Sequence, residues 1–219
     1  MKKLLDFSEG AFQAIFFDFD GVLCECMDVK TEAFAQLFEP FGEDVVKKVV
    51  DHHVKYGGIS RYKKIEYYYK EYLNKKISKN ELNELAQKFS DLVVNKVIES
   101  DWVKGAKEFL EKYYKKIDLY VISGTPQEEL SLIIKKRGVE KYFKGVFGTP
   151  DTKPVHARRI ISENGYDREK VLYIGDSLSD YKDALKAEVP FLGRVPKGKE
   201  PYFPDDVNIF SNFYDIEKL

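Results

Sequence analysis

The segment that most constrains this chain is Ala14-Ile15-Phe16-Phe17-Asp18-Phe19-Asp20-Gly21-Val22-Leu23. Its apolar run is short enough for a buried strand and stops at two carboxylates one residue apart, with a glycine directly behind them. A strand core needs no acids at its end, and carboxylates this close repel unless a cation or a shared proton compensates them. Taken alone, Asp-x-Asp-Gly is also compatible with a polar exit from a strand. The rest of the chain decides between the two.

At 219 residues the chain is long enough for one large domain, or for one domain carrying a smaller insertion, and in either case for a real core. Apolar residues make up 43% and charged residues 33%, with a net charge of -1. That balance excludes bulk electrostatic attraction to nucleic acid or to anionic membrane. No apolar run approaches the ~20 residues of a membrane span. Met1-Lys2-Lys3-Leu4-Leu5 is followed by Asp6 and Glu9 rather than by a cleavable apolar region, so the expected location is the cytoplasm.

Cys24 and Cys26, the only cysteines, have a spacing that suits neither an ordinary disulfide nor a complete zinc site; free thiols packed after the first strand are expected. His52 and His53 are adjacent, so on a helix they point about 100° apart and do not clasp one metal. They are expected to be solvated or partly packed, as is His156.

From about residue 27 to 100 the apolar spacing is helical throughout. Helices are predicted over Val29 to Leu37 and Glu43 to Tyr56, separated by Pro40-Phe41-Gly42. A third carries Tyr62, Ile65, Tyr69, Tyr72 and Leu73, and a fourth Leu82, Leu85, Phe89, Leu92 and Val93. The cluster Tyr67-Tyr68-Tyr69-Tyr72 has the spacing of core aromatics, with stacking on a sugar or base as the alternative.

After Gly105 the grammar changes to alternation. Helix Ala106 to Tyr114 leads to strand Leu119-Tyr120-Val121-Ile122, helix Glu128 to Lys136, strand Val146-Phe147 and helix Val155 to Glu163. Strand Val171-Leu172-Tyr173-Ile174, helix Tyr181 to Ala187 and strand Pro190-Phe191-Leu192 follow. Such alternation predicts an α/β fold: a Rossmann-like parallel-sheet core with helices on both faces, with ligands at the carboxyl ends of the strands. The core would take residues 1-26 and 101-219, and the inserted all-helical cap residues 27-100. Pro201 to Leu219, rich in aromatics, is expected to cover the sheet edge or to serve a partner.

The strand exits carry polar groups where the fold predicts a ligand: Ser123-Gly124-Thr125-Pro126, then Thr149-Pro150-Asp151-Thr152-Lys153-Pro154, then Gly175-Asp176-Ser177-Leu178-Ser179-Asp180. Thr125, Pro126 and Glu128 also fit a helix start with a capping hydroxyl. Ser177 and Asp180 fit a capping box, so for Asp180 capping and metal binding both stand. Asp176 has no capping explanation and would face Asp18 and Asp20.

Asp18-Phe19-Asp20-Gly21-Val22-Leu23, Ser123 after an apolar strand, Lys153 before Pro154 and Gly175-Asp176-x-x-x-Asp180 resemble, in order, the four motifs of the haloacid dehalogenase superfamily. The helical block lies between the first two motifs, where that superfamily carries a helical cap. The resemblance implies a magnesium-dependent phosphoric monoester phosphatase with an aspartyl-phosphate intermediate. Asp18 would be the nucleophile, and Asp20 the general acid and then the general base. Magnesium would sit among Asp18, the Asp20 carbonyl, Asp176 and, on the metal reading, Asp180. Ser123 and the Gly124 amide would hold phosphoryl oxygens, and Lys153 would pair with the phosphate and with Asp18.

Dehalogenases and transport ATPases resemble the first motif but lack its second aspartate, so Asp20 favours phosphatases and sugar phosphomutases. Tyr56-Gly57-Gly58-Ile59-Ser60-Arg61 resembles a Gly-x-Ser-Arg stretch of β-phosphoglucomutase, in which the arginine grips a second phosphate. Arg61 is therefore expected either over the site as a fork for a second anionic group, or solvated after a capping serine. Lys30 stands where that mutase has a histidine. The expected substrate is a small phosphorylated metabolite such as phosphoglycolate or a sugar phosphate, with a phosphomutase as the alternative and a non-catalytic binder as the remoter one. No nucleic-acid or membrane partner is expected of what would be a monomer or small homo-oligomer.

Overall fold

The computed structural model describes residues 11–216; the reading of Met1 to Glu9 lies outside them. Strand β1, Ala14–Phe17, is buried along its whole length. Its side chains alternate between two cores, Ile15 and Phe17 on one face and Ala14 and Phe16 on the other, as the two-residue period of a strand requires. This explains why the run reads as uniformly apolar.

Beside β1 lie β2 (Asp118–Pro126) and β4 (Val171–Gly175), and beyond them β3 (Gly145–Thr149), β5 (Phe191–Arg194) and β6 (Asn208–Phe210). The order is β3-β2-β1-β4-β5-β6, and every neighbouring pair is parallel. Successive strands run outward from β1 in one direction and from β4 in the other, so the topological switch falls between β1 and β4. A crevice forms there at the carboxyl ends, where Asp18, Asp20 and Asp176 follow their strands.

Four of the helices between β1 and β2 form a block of their own: α1 (Met27–Phe38), α2 (Glu43–Lys55), α3 (Arg61–Glu71) and α4 (Lys79–Glu99). Their aromatics interlock, with Phe34 and Phe89 centroids 4.4 Å apart and Phe38 edge-on to Tyr68 at 5.4 Å. Tyr68 and Tyr69 are core residues, whereas Tyr67 is largely exposed. Helices α5 (Ala106–Tyr113) and α6 (Gln127–Lys136) cover the Phe17 face, and α7 (Lys153–Asn164) and α8 (Leu178–Ala187) the Phe16 face.

Three expectations need correction. His53 is buried rather than solvated, because it lies one helical turn from Val49 on the inward stripe of α2. His156 is buried as well, on the stripe shared with Ile160, and its Nε2 contacts the Gly148 carbonyl at 2.8 Å. The end of the chain extends the sheet rather than merely covering it: β6 pairs with β5, and helix α9 (Phe213–Ile216) sets Phe213 against Phe17 and Phe109. Cys24 and Cys26 are buried free thiols, as expected.

Phe17 joins the sheet to both α5 and α9, so Phe17→Ala is expected to destabilise the protein by about 3–5 kcal/mol in urea denaturation. A loss below about 1 kcal/mol would show that this face of β1 is not central to the core.

Candidate active site

The backbone turns sharply after β1. Gly21 has φ +76, and a Cβ there would fall 2.1 Å from Asp176 Oδ2, so this position requires glycine for its conformation and for the approach of the two loops. The Asp18 amide is tied to the Ile174 carbonyl at 2.9 Å, which fixes the first carboxylate beside the end of β4.

Asp18 is 2% exposed. Its Oδ1 accepts from the Phe19 amide at 2.8 Å and pairs with Lys153 Nζ at 2.9 Å. Lys153 also reaches Asp180 Oδ1 at 2.6 Å, so one ammonium compensates two carboxylates. Asp180 Oδ2 in turn accepts from the amide and hydroxyl of Ser177 in a complete capping box at the start of α8. The cap expected of Asp180 is formed, and the same carboxylate also keeps an oxygen within reach of Asp18 and Asp176.

Asp20 is held differently. Lys30 Nζ pairs with its Oδ2 at 2.5 Å, Thr125 Oγ1 donates to the same oxygen at 3.2 Å, and the Cys26 thiol donates to Oδ1 at 3.1 Å. Ser123 Oγ stands 3.5 Å from Oδ2. Thr125 does not cap a helix: β2 continues through Pro126, and α6 starts without a side-chain cap.

Lys30, Thr125 and Cys26 were therefore not identified as site residues from sequence. Lys30 carried a usable signal, since it shares the inward stripe of α1 with Ala33, Phe34 and Phe38. A lysine on such a stripe needs a buried anion.

The electrostatics separate the two carboxyls. Burial raises Asp18 to about 7 against the pull of Lys153, with Asp180 and Asp20 adding to the rise. Burial acts on Asp20 in the same sense, but the Lys30 charge and hydrogen bond outweigh it and bring Asp20 below its ordinary value. Burial, then Asp180 and Asp18, push Asp176 well up.

The site is thus short of positive charge. One oxygen each of Asp18, Asp176 and Asp180 lies within 4.8 Å of the others, and Asp176 Oδ1 is buried with no partner. A hard divalent cation with oxygen ligands fits this donor set, and Asp176, whose Oδ1 has no other partner, is the carboxylate most open to it.

Arg61 does not stand over the site as a free fork, nor is it solvated. Its guanidinium pairs with Glu129 of α6, contacts Ser90 Oγ at 2.5 Å and lies over the Phe89 ring. Ser90 also donates to Glu129 at 2.7 Å. The arginine thus ties the helical block to the sheet domain, through a partner too distant in sequence to be foreseen.

The Gly57-Gly58 turn between α2 and α3 closes over the crevice. A Cβ on Gly58 would meet Lys153 Nζ at 2.8 Å, and one on Gly124 would meet the Gly58 carbonyl at 2.6 Å. This turn divides the space in two. A chamber of about 30 Å³ is lined by Asp18, Asp20, Lys30, His53 and Phe34, and a cleft of about 790 Å³ reaches Ser123, Gly124 and Lys153 from the other side.

Raised carboxyls set the pH dependence of stability. Asp18 binds a proton in the folded protein between its ordinary value of 3.8 and about 7, where the unfolded chain does not. Its contribution is complete below about 4 and lost as pH rises through 7. Without magnesium, Tm is expected to fall between pH 5.5 and 8, and added magnesium to raise it more at pH 8. A Tm that is flat across this range and equally responsive to magnesium at both pH values would contradict the assignment.

A sequence profile of the haloacid dehalogenase-like hydrolase family matches residues 15–194. No curated protein matches the chain. Among solved structures, β-phosphoglucomutase from Clostridium difficile is similar with a TM-score of 0.75 at 17% identity, covering 95% of this chain and 93% of that one. A predicted phosphoglycolate phosphatase from Haemophilus somnus 129PT has a TM-score of 0.72 at 20% identity, with 95% and 97% covered. The hydrolase YfnB of Bacillus subtilis, bound to magnesium, has 0.67 at 17% identity, with 95% and 99% covered. At these identities the likenesses establish the fold. Within the described residues no helix is long and apolar enough to cross a membrane.

Proposed function

The chain belongs to the haloacid dehalogenase-like hydrolase family, and from that premise we propose that it hydrolyses a small phosphorylated metabolite with magnesium, through an aspartyl-phosphate. The observation that carries this reading is the gathering of Asp18, Asp20, Lys153 and Asp176 in one buried crevice at the topological switch.

Asp18 is the nucleophile. Its Oδ1 is occupied by the Phe19 amide and Lys153, which leaves Oδ2 as the attacking oxygen. Asp18 and Asp176, with the Asp20 carbonyl, would hold magnesium, which when bound neutralises carboxylate and phosphate charge. Ser123 and the Gly124 amide hold phosphoryl oxygens, and Lys153 orients the nucleophile and offsets its charge.

Asp20 gives a proton to the leaving oxygen as the phosphoryl group moves to Asp18. In the second step it takes a proton from the water that attacks the acyl phosphate, which restores both carboxyls and releases phosphate. Lys30, Thr125 and Cys26 set the orientation of Asp20, and Lys30 favours the ionised form that the second step needs.

Phosphate release is favoured over isomerisation because the Arg61 guanidinium, the expected grip for a second phosphate, is engaged by Glu129. We take residues 27–100 as the cap that parts from residues 1–26 and 101–219 to admit substrate, since the chamber over Asp18 is smaller than a phosphate ester.

A screen of phosphorylated metabolites, scored for free phosphate and for isomerised product, tests this reading. Asp18→Asn is expected to abolish phosphate release while the chain stays folded, as read by circular dichroism; retained turnover would remove Asp18 as nucleophile. Lys30→Met is expected to lower kcat by on the order of 10²-fold and to move the Asp20 limb of the pH–rate profile to higher pH. An unmoved profile would limit Lys30 to packing.

A further inference from the structure

The proposed mechanism leaves unused two buried basic residues in the roof of the chamber. His53, on α2, lines the chamber with Asp18 and Asp20, and its Nε2 is buried without a hydrogen-bond partner. Behind it Lys64 of α3, 1% exposed, contacts His53 Nδ1 at 2.7 Å, the Gly57 carbonyl at 3.4 Å and the His53 carbonyl at 3.5 Å.

All three of these partners are neutral. A buried ammonium surrounded only by neutral acceptors is a costly arrangement that an anion would relieve. With a negative charge in the chamber holding Lys64 as an ammonium, which only donates, Nδ1 accepts and the ring proton sits on Nε2, the atom that has no partner. Burial and then the Lys30 charge push Lys64 well below its ordinary range, and burial with Lys64 does the same to His53. Both groups therefore gain from a negative charge in the chamber.

The chamber also lies on the correct side of the reaction. Asp20, which protonates the leaving oxygen, lines the small chamber with Asp18 and Gly124 and does not line the 790 Å³ cleft. The leaving group must then sit beneath His53. Phe34 and Phe89 wall that space and Arg61 is committed to Glu129, so the space is narrow and its free donor is the imidazole.

Resting on the hydrolase reading above, we propose that His53, held by Lys64, is the specificity-determining contact for the leaving group. The subsite takes a compact phosphomonoester whose leaving group carries a carboxylate. A second phosphate finds no arginine fork here, because Arg61 is engaged by Glu129, and a neutral leaving group leaves the Lys64–His53 pair without its counter-charge.

The test compares phosphoglycolate with 2-hydroxyethyl phosphate, a neutral probe of similar size, using the full chain with magnesium. Wild type is expected to favour phosphoglycolate in kcat/KM by on the order of 10–100-fold, the size expected of a hydrogen bond to a charged group. His53→Leu and Lys64→Met are expected to bring the ratio of the two substrates close to unity, mainly through KM, and His53→Gln, which keeps a donor, to retain part of it. No preference in wild type, or variants that slow both substrates alike, would overturn the proposal.

Calorimetric binding of both probes to Asp18→Asn, with and without the second substitution, separates the subsite from the chemistry. If wild type hydrolyses neither these probes nor any ester of the screen above, the hydrolase reading fails on its own. A binding preference that is lost with His53→Leu would still support the subsite, and equal affinities would overturn it.

Discussion

A single ammonium, that of Lys153, holds together the carboxylates on which the crevice depends. It spans Asp18 on the β1 exit and Asp180 at the start of α8, and all three groups are buried. Burying this much negative charge is tolerable only because each carboxylate has a designated partner or a place for a cation. Gly21 and the Ser177–Asp180 capping box bring the loops of β1 and β4 close enough for this sharing. Sheet order, loop conformation and charge balance are therefore one constraint seen at three scales.

The two carboxyls after β1 differ because their neighbours come from different parts of the chain. Asp18 faces the sheet domain, with one shared lysine and other carboxylates, and is pushed up. Asp20 faces the helical block, where α1 supplies Lys30, and is pushed down. On the proposed roles this difference suits the second step, in which Asp20 acts as base, while the first step needs a cation to ionise Asp18; the helical insertion supplies the lowering of Asp20. The insertion thus takes part in the electrostatics of the crevice while Arg61, through Glu129 and Ser90, fastens it to the sheet domain.

Much of this was legible in advance because it rests on local rules. The period of two in β1, the helical stripes between residues 27 and 100 and the alternation after Gly105 each predict their element, and the parallel order then puts every strand exit on one edge. Where reading failed, the cause was pairing at long range. The position of Ser123, Lys153 and Asp176 at the crevice was legible because they follow strands, whereas Lys30, His53 and Lys64 lie on inward helix stripes where an apolar residue is the default. Charged residues on such stripes were the overlooked signal, since burial demands a partner that local pattern does not name.

By itself the sequence determined which side chains could carry chemistry and which edge of the sheet would present them, because strand and helix periods are properties of short segments. Only the tertiary structure decided how those side chains are shared: Arg61 with Glu129, Lys30 with Asp20, Asp180 with its own helix start and Lys153, and His53 with one nitrogen to spare. The reason is that a buried charge is satisfied by whatever opposite charge the fold brings within about 3 Å, and that neighbour is set by packing rather than by distance along the chain.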